Sequence, residues 1–403
     1  MDGNSCHRAL ASSRAVLSAS SQKAFFSGTH RVRRPEDTWA AISPHLARHG
    51  ITRIADVTGL DHLSVPTAQA IRPLGRTLSV TQGKGQSLLL AKISAAMEAI
   101  ELWHAENVSP DPAFISTTAS RVPLIYPLRD ISQDGWIEIA QHALMDWVSA
   151  YGVLSGRETV VPHGMVNLSW EISRPWNSSG VPTWSPGLAA GNSHAEAQLH
   201  GLYEAIEKAV VSHHAKAPHA ALRVDPFSIT DPWCRDFLQR TRSILDVEIR
   251  ILPNTWGMPC YEVVLTSEDL PGVAACGSGV HGDPGVALSR ALTEAAQTRL
   301  TIISGTRDDI DAGVYARPMH RTKPRPDSPV DWLKTFQIRQ ETGDVQADVR
   351  VISKAIAAKT SNEPVCVTLA HNSEFSVVKI VCPGLLNAAY TGRRRSDSIS
   401  EET

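Results

Sequence analysis

Three long stretches with helical periodicity each place acidic or amide side chains on a single face, and this repeated arrangement constrains the fold more than any other feature of the chain. In the first, Leu88–Glu106, residues Ser94, Glu98 and Glu101 are spaced by four and then three. The rest of that helix is markedly apolar, with Leu88, Leu89, Leu90, Ile93, Met97, Ile100 and Trp103, so it belongs inside a protein. Two carboxylates about 4 Å apart repel by roughly 4 kcal/mol at an effective dielectric of about 20. A divalent ion, a basic side chain or a bound proton must relieve them.

The second stretch, Ala195–His214, opens with Gly191-Asn192-Ser193 and carries Glu196, His200, Glu204 and Glu207 at spacings of four, four and three. Ser193 and Glu196 also fit a capping box, which accounts for Glu196 without any ligand. Glu204 and Glu207 have no such duty, although Lys208 beside them offers an ordinary ion pair. The third, Val286–Ile303, has Asp283 suited to an N-cap and Pro284 to the first helical position. It contains Arg290, Glu294, Gln297 and Arg299. Glu294 and Gln297 share a face, while Arg299 points elsewhere unless its long side chain swings round. One such pair is the solvated stripe of an amphipathic helix. Three together suit a hard cation and, through it, phosphates.

β-rich runs at Thr52–Thr58, Val247–Leu252, Tyr261–Thr266, Pro364–Ala370 and Ser376–Cys382 read as strands, and Val345–Lys359 as a fourth helix. Strands and helices interleave, so the fold class is α/β (α+β) with mixed sheets packed against helices. The likeness of the first two acidic helices hints at an internal duplication. Gly277–His281 reads as a short glycine-rich loop that either presents N–H groups to an anion or makes a plain turn. Gln82-Gly83-Lys84-Gly85 lacks the spacing of a phosphate-binding P-loop, and no GxGxxG opens a helix.

The chain of 403 residues has 42% hydrophobic and 20% charged residues, the balance of a soluble globular protein. A net charge of -2 gives no general attraction to nucleic acid or to an anionic membrane, and no apolar run reaches spanning length. The six cysteines are scattered with no CxxC pair, which reads as reduced thiols in a cytoplasmic protein. Residues 1–35 are expected to be a mobile arm and 391–403 a disordered tail.

At its acidic elements the sequence resembles the YcaO family. The match lies in GKGQSLLLAKISAAMEAIE from Gly83, GLAAGNSHAEAQLHGLYEAIEK from Gly187 and GSGVHGDPGVALSRALTEAAQTR from Gly277. The family's S-x3-E-x2-E element falls on Ser94, Glu98 and Glu101. Its N-x3-E…E-x2-E element falls on Asn192, Glu196, Glu204 and Glu207, and its E-x2-Q-x-R element on Glu294, Gln297 and Arg299. The resemblance implies a YcaO-type fold, with a core at 36–315, a Pro-rich loop at 316–330 and the C-terminal part of the same domain at 331–390. It implies an ATP site lined by these residues and by Lys84, with Mg²⁺ held by Glu98, Glu101, Glu196, Glu204 and Glu207. Glu98, Glu204 and Arg299 would carry catalysis, and Lys84 and Arg299 would contact phosphate.

The chemistry implied is activation of a peptide-backbone amide. A nucleophile adds to the carbonyl, ATP phosphorylates the oxyanion, and phosphate leaves to give an azoline, a thioamide or an amidine. Two departures stand out. The family's second helix continues E-R-D, whereas Lys208 and Ala209 follow Glu207 here. Azoline-forming members end in a PxPxP tail, whereas this chain ends SISEET. The resemblance therefore favours the branch that makes thioamides with a TfuA-type partner acting on a ribosomally made precursor peptide. No peptide-clamp domain fits in the first sixty residues, so a separate leader-peptide-binding protein is expected, and nothing opposes a homodimer. The alternatives are an azoline-forming cyclodehydratase, an amidine-forming macrocyclase and a non-catalytic peptide-binding scaffold. A metal hydrolase using His194, His200, His213 and His214 lacks an HExxH motif, and Ser278 lacks a GxSxG elbow.

Overall fold

The computed structural model describes residues 21–132, 136–169, 181–183, 185–307, 310, 313, 328–334 and 341–385. Strands β1 (Ala24–Phe26) and β2 (Thr29–Arg31) form a hairpin before helix α1 (Pro35–Ile42). Strands β3 (Arg53–Asp56), β4 (Thr67–Ile71) and β5 (Val80–Lys84) then make a three-stranded sheet leading into α2 (Leu88–Glu106). Next come α3 (Ile137–His142), β6 (Trp147–Gly152), β7 (Glu158–Pro162), α4 (His163–Val166), β8 (Leu188–Gly191) and α5 (His194–Lys216). They are followed by β9 (Leu222–Arg223), α6 (Pro232–Thr241), β10 (Asp246–Ile251), β11 (Cys260–Thr266), β12 (Ala275–Val280) and α7 (Pro284–Ser304). Helix α8 (Val345–Thr360) and strands β13 (Val365–His371) and β14 (Ser376–Val381) close the described chain.

The larger sheets run β7-β6-β13-β14-β8 and β12-β11-β10-β9, with antiparallel neighbours throughout. The C-terminal strands thus sit inside the five-stranded sheet, and β14 is buried along its whole length. The class expected from sequence is the one observed. No helix among the described residues is long and apolar enough to cross a membrane.

One device recurs at each acidic helix. A strand bearing glycine turns through a side-chain N-cap into a helix that packs back on that strand. The caps are Ser87 Oγ accepting from Leu90 N–H, Ser193 Oγ from Glu196 N–H, and Asp283 from Gly285 and Val286 N–H. The glycines set the packing distance. A Cβ on Gly83 would lie 2.0 Å from Ala95 N and 2.1 Å from Ala91 O of α2. A Cβ on Gly277 would lie 2.2 Å from Ala295 N and 2.3 Å from Ala291 O of α7. Glycine on the strand facing alanines on the helix lets the two backbones touch.

That close approach corrects the reading of Gly277–His281 as a loop. Gly277 and Gly279 belong to β12, paired with β11, and their lack of side chains serves helix packing. Three hydrophobic clusters back the three units: Ala68, Ala70, Ala95 and Ile100 under α2; Leu202, Ile206, Ile352 and Ile380 around α5 and α8; Val263, Ala287, Leu288 and Leu292 under α7.

The expected mobile arm also differs in its second half. Residues 21–35 are tied down by Lys23 to Glu341 (2.7 Å) and Asp348, and by His30 Nδ1 to Glu341 (2.6 Å). Arg33 donates to the carbonyls of Ser373 and Glu374, both at 2.8 Å. Residues 1–20 and the tail at 391–403 lie outside the described residues, as does most of the Pro-rich loop.

His30, His281 and Glu341 lie close enough together to hold an ion. However, Asp283 N–H donates to His281 Nδ1 at 3.0 Å, so the proton of the neutral ring sits on the other nitrogen. With Lys23 already on Glu341, the cluster is a hydrogen-bonded clasp for the hairpin.

Gly83→Ala should therefore force α2 off its strand. Denaturant unfolding is expected to show a loss of about 1–3 kcal/mol or more. The same substitution at Gly164, where a Cβ meets nothing within 4 Å, should cost far less.

Candidate functional site

Helices α2, α5 and α7 converge on a cavity of about 940 Å³. Ser94, Glu98 and Glu101 enter it from α2; Glu196, His200, Glu204, Glu207 and Lys208 from α5; Arg290, Glu294 and Gln297 from α7. Lys84 reaches it from the end of β5, and Asn192 from the turn before α5. The hairpin and the segment after it add Thr29, Arg31 and Arg33 as a wall.

Each carboxylate is held differently. Glu196 is fixed by hydrogen bonds from Val32 N–H (2.8 Å), Asn192 N–H (3.1 Å) and Asn192 Nδ2 (3.0 Å), with Arg31 at 3.6 Å. It occupies the third helical position and lines the cavity at once, while Thr38 Oγ1 donates to Asn192 Oδ1 at 2.8 Å. Glu207 accepts from Ser278 Oγ (2.8 Å) and Val280 N–H (3.3 Å), locking α5 onto β12. Glu101 accepts Ala190 N–H at 2.5 Å, and Glu204 accepts Gly187 N–H at 3.2 Å. Glu294 takes Lys84 Nζ at 2.6 Å, and Gln297 Nε2 donates to the Gln82 carbonyl at 2.8 Å.

Burial and mutual repulsion mark out three of these acids. Burial pushes the Glu98 carboxyl up to about 7, with Glu204 and Glu294 adding to the rise and Arg307 and Lys84 opposing it. Burial, then Glu204 and Glu98, hold Glu101 well above the usual range. Glu204 is raised by burial and Glu207, against Lys208 and Lys379. Glu294 behaves oppositely: burial would raise it, but Lys84 and Lys208 outweigh that and hold it low. Lys208 keeps its charge despite burial because Glu207, Glu294 and Glu204 face it.

The cavity is therefore bipolar. Carboxylates that bind protons too readily are what a hard dication replaces, and the cations beside them suit an anion bridged to it. The donor set thus fits Mg²⁺ with a polyphosphate.

Arg299 is not brought to this cavity. Its guanidinium is buried among Asp61 (3.0 Å), Ser267 (2.6 Å) and Asp269 (2.6 Å), where it fastens the end of α7. The helical spacing pointed it away from Glu294 and Gln297, and that geometry prevails over its assignment as a phosphate contact. Arg290 is the residue not singled out. It stands four before Glu294, so the same-face rule that grouped the acids places it in the cavity as well. The contributions of Thr29, Arg31 and Arg33 come from segments remote in sequence and leave no local signal.

Comparisons with known proteins identify the family and the fold. Residues 82–386 match the family model described as YcaO cyclodehydratase, ATP- and Mg²⁺-binding. An uncharacterised protein of Mycobacterium tuberculosis (strain ATCC 25618 / H37Rv) is 36% identical over 377 residues, covering 89% of this chain and 83% of its own. An uncharacterised protein in the tfuA 3′ region of Rhizobium leguminosarum bv. trifolii is 34% identical over 372 residues, covering 87% of each. A solved heterocyclase in complex with substrate and cofactor superposes with a TM-score of 0.74 at 18% identity, over 91% of this chain and 54% of that one. This chain thus spans about half of that heterocyclase. YcaO from Methanopyrus kandleri bound with AMPPCP and Mg²⁺ gives a TM-score of 0.68 at 20% identity, covering 93% of this chain and 97% of that one. The chain belongs to the YcaO family, and its cofactors are ATP and Mg²⁺.

The raised Glu98 carboxyl gives a pH signature in metal-free protein. A group that holds its proton more tightly when folded contributes fully below its unfolded value of 4.5 and loses that contribution as pH rises through about 7. The loss is at most about 3 kcal/mol. The thermal midpoint should fall between about pH 5 and about pH 8, and Glu98→Gln should flatten the fall. A wild-type midpoint that does not fall over that window would contradict the assignment.

Proposed function

We propose that this chain activates a backbone amide of a ribosomally made precursor peptide at the expense of ATP, and that it installs a thioamide together with a TfuA-type partner. The observation that carries the reading is the convergence of three helices' buried carboxylates and their opposing cations on one cavity. Glu98, Glu101 and Glu204 would hold Mg²⁺ together with Glu196 and Glu207, which are fixed by their own hydrogen bonds. Lys84, Ser94, Asn192, Glu294 and Gln297 would line the nucleotide. When bound, Mg·ATP supplies the phosphoryl group that makes an amide oxygen a good leaving group.

The chain's own contribution is positioning. Short hydrogen bonds to backbone and side chains fix the acids before a ligand arrives, so little reorganisation accompanies reaction. The hairpin wall and the apolar flank of Leu90, Met97 and Leu102 limit water at the reacting centre.

For the choice of product, the relative in the tfuA 3′ region supports the thioamide branch. The description of the matched family as a cyclodehydratase supports azoline formation as the second reading. A separate leader-binding protein remains part of the proposal.

The test is incubation of the purified enzyme with ATP, Mg²⁺, sulfide and candidate precursor peptides, with and without a TfuA-type protein. Replacement of oxygen by sulfur in the peptide mass is expected. Loss of one water would instead assign azoline or amidine formation. Glu98→Gln and Glu204→Gln should each lower ATP turnover at least ~100-fold. Turnover that survives either change would remove these acids from the site.

A further inference from the structure

Arg290 lies on α7 one turn before Glu294 and lines the same cavity. Its Nε is buried with no hydrogen-bond partner, and none of the ion pairs among the described residues closes on its guanidinium. The partner that helical spacing would provide is taken, since Lys84 Nζ holds Glu294 at 2.6 Å. Lys208 acts on the same carboxylate from α5, so three cations converge on one acid. Around Glu294 itself positive charge is in excess, although Glu204 and Glu207 also face Lys208. A buried ion without a counter-ion is costly, and an arriving anion removes that cost.

Lys208 gives the excess a specific meaning. It stands where the resemblance leads one to expect arginine, and an ammonium is a point charge that cannot grip two oxygens at once. It is also drawn to Glu207, at 3.5 Å. We propose that Arg290 supplies the missing fork: from α7 it binds the terminal phosphate oxygens of the nucleotide, while Lys208 contributes charge alone. This rests on the reading of the cavity as a nucleotide site. It locates the recognition of the phosphate tail on α7, at a residue outside the family's acidic elements. His200, whose Nδ1 is likewise buried and unpartnered, stands close enough that Arg290 helps keep its ring neutral. No competing cation is therefore added at that point.

The experiment is calorimetric binding of AMPPCP with Mg²⁺, of AMP and of adenosine to the unmodified chain and its variants. Arg290→Gln is expected to weaken AMPPCP binding roughly 10- to 100-fold while leaving adenosine unchanged. Arg290→Lys keeps the charge opposite Glu294, which covers the case in which the glutamine variant fails to fold. It should lose less than glutamine, and again only for the triphosphate. Adding Lys208→Arg to Arg290→Gln should restore part of the loss, because a fork returns from the other helix. Equal losses for AMPPCP and adenosine would show a purely structural role and overturn the proposal. So would AMPPCP binding unaffected by either substitution. If the unmodified chain binds none of the three ligands, the nucleotide reading of the cavity fails first and takes this proposal with it.

Discussion

The arrangement of this protein follows from burying Glu98, Glu101 and Glu204 together. Half-buried side by side along one cavity, each binds its proton more tightly in consequence. Carboxylates left to themselves would splay toward solvent. Here they cannot, because their helices are pressed onto strands at backbone distance through glycine and alanine. The packing therefore stores electrostatic repulsion that a dication can discharge. Stability and ligand binding oppose one another at these positions, as at many functional sites.

The device is built three times with different chemistry at each copy. The α2 copy is apolar and contributes mainly charge from Glu98 and Glu101. The α5 copy carries the most engaged acids, Glu196 and Glu207, which bind the hairpin segment and β12 while lining the cavity. The α7 copy brings cations together around Glu294 and is anchored at its far end by Arg299. In the proposed reading, similar backbone units divide the work among holding a metal, joining the parts and receiving an anion.

Much of this was legible in the sequence because it depends on spacing within single helices. Leu88–Glu106 is found with its predicted bounds, and Ser193 and Asp283 cap where their residue types indicate. Five strands, among them β10 and β14, fall within a residue or so of their β-rich runs. β12 was not legible: Cys-Gly-Ser-Gly reads as a turn until the helix that needs those glycines is known. Arg299 shows the complementary case, in which helical periodicity indicated a different face from the one the family pattern assigned. The hairpin's docking had no local signature, since Lys23 meets Glu341 and Asp348 across more than three hundred residues.

That last distance bears on how the molecule is made. Glu196 accepts a hydrogen bond from Val32, so one wall of the cavity belongs to a segment synthesised well before the helix that it meets. The residues that clasp this segment, Glu341 and Asp348, are added more than three hundred residues after Lys23. Through most of translation the acidic helices can form and pack on their strands while the cavity stands open on that side. A nascent chain would thus expose its carboxylates and hold no complete cavity until α8 is out. Closure of the cavity is in this way deferred until α8 has been made, by the order in which its contacts become available.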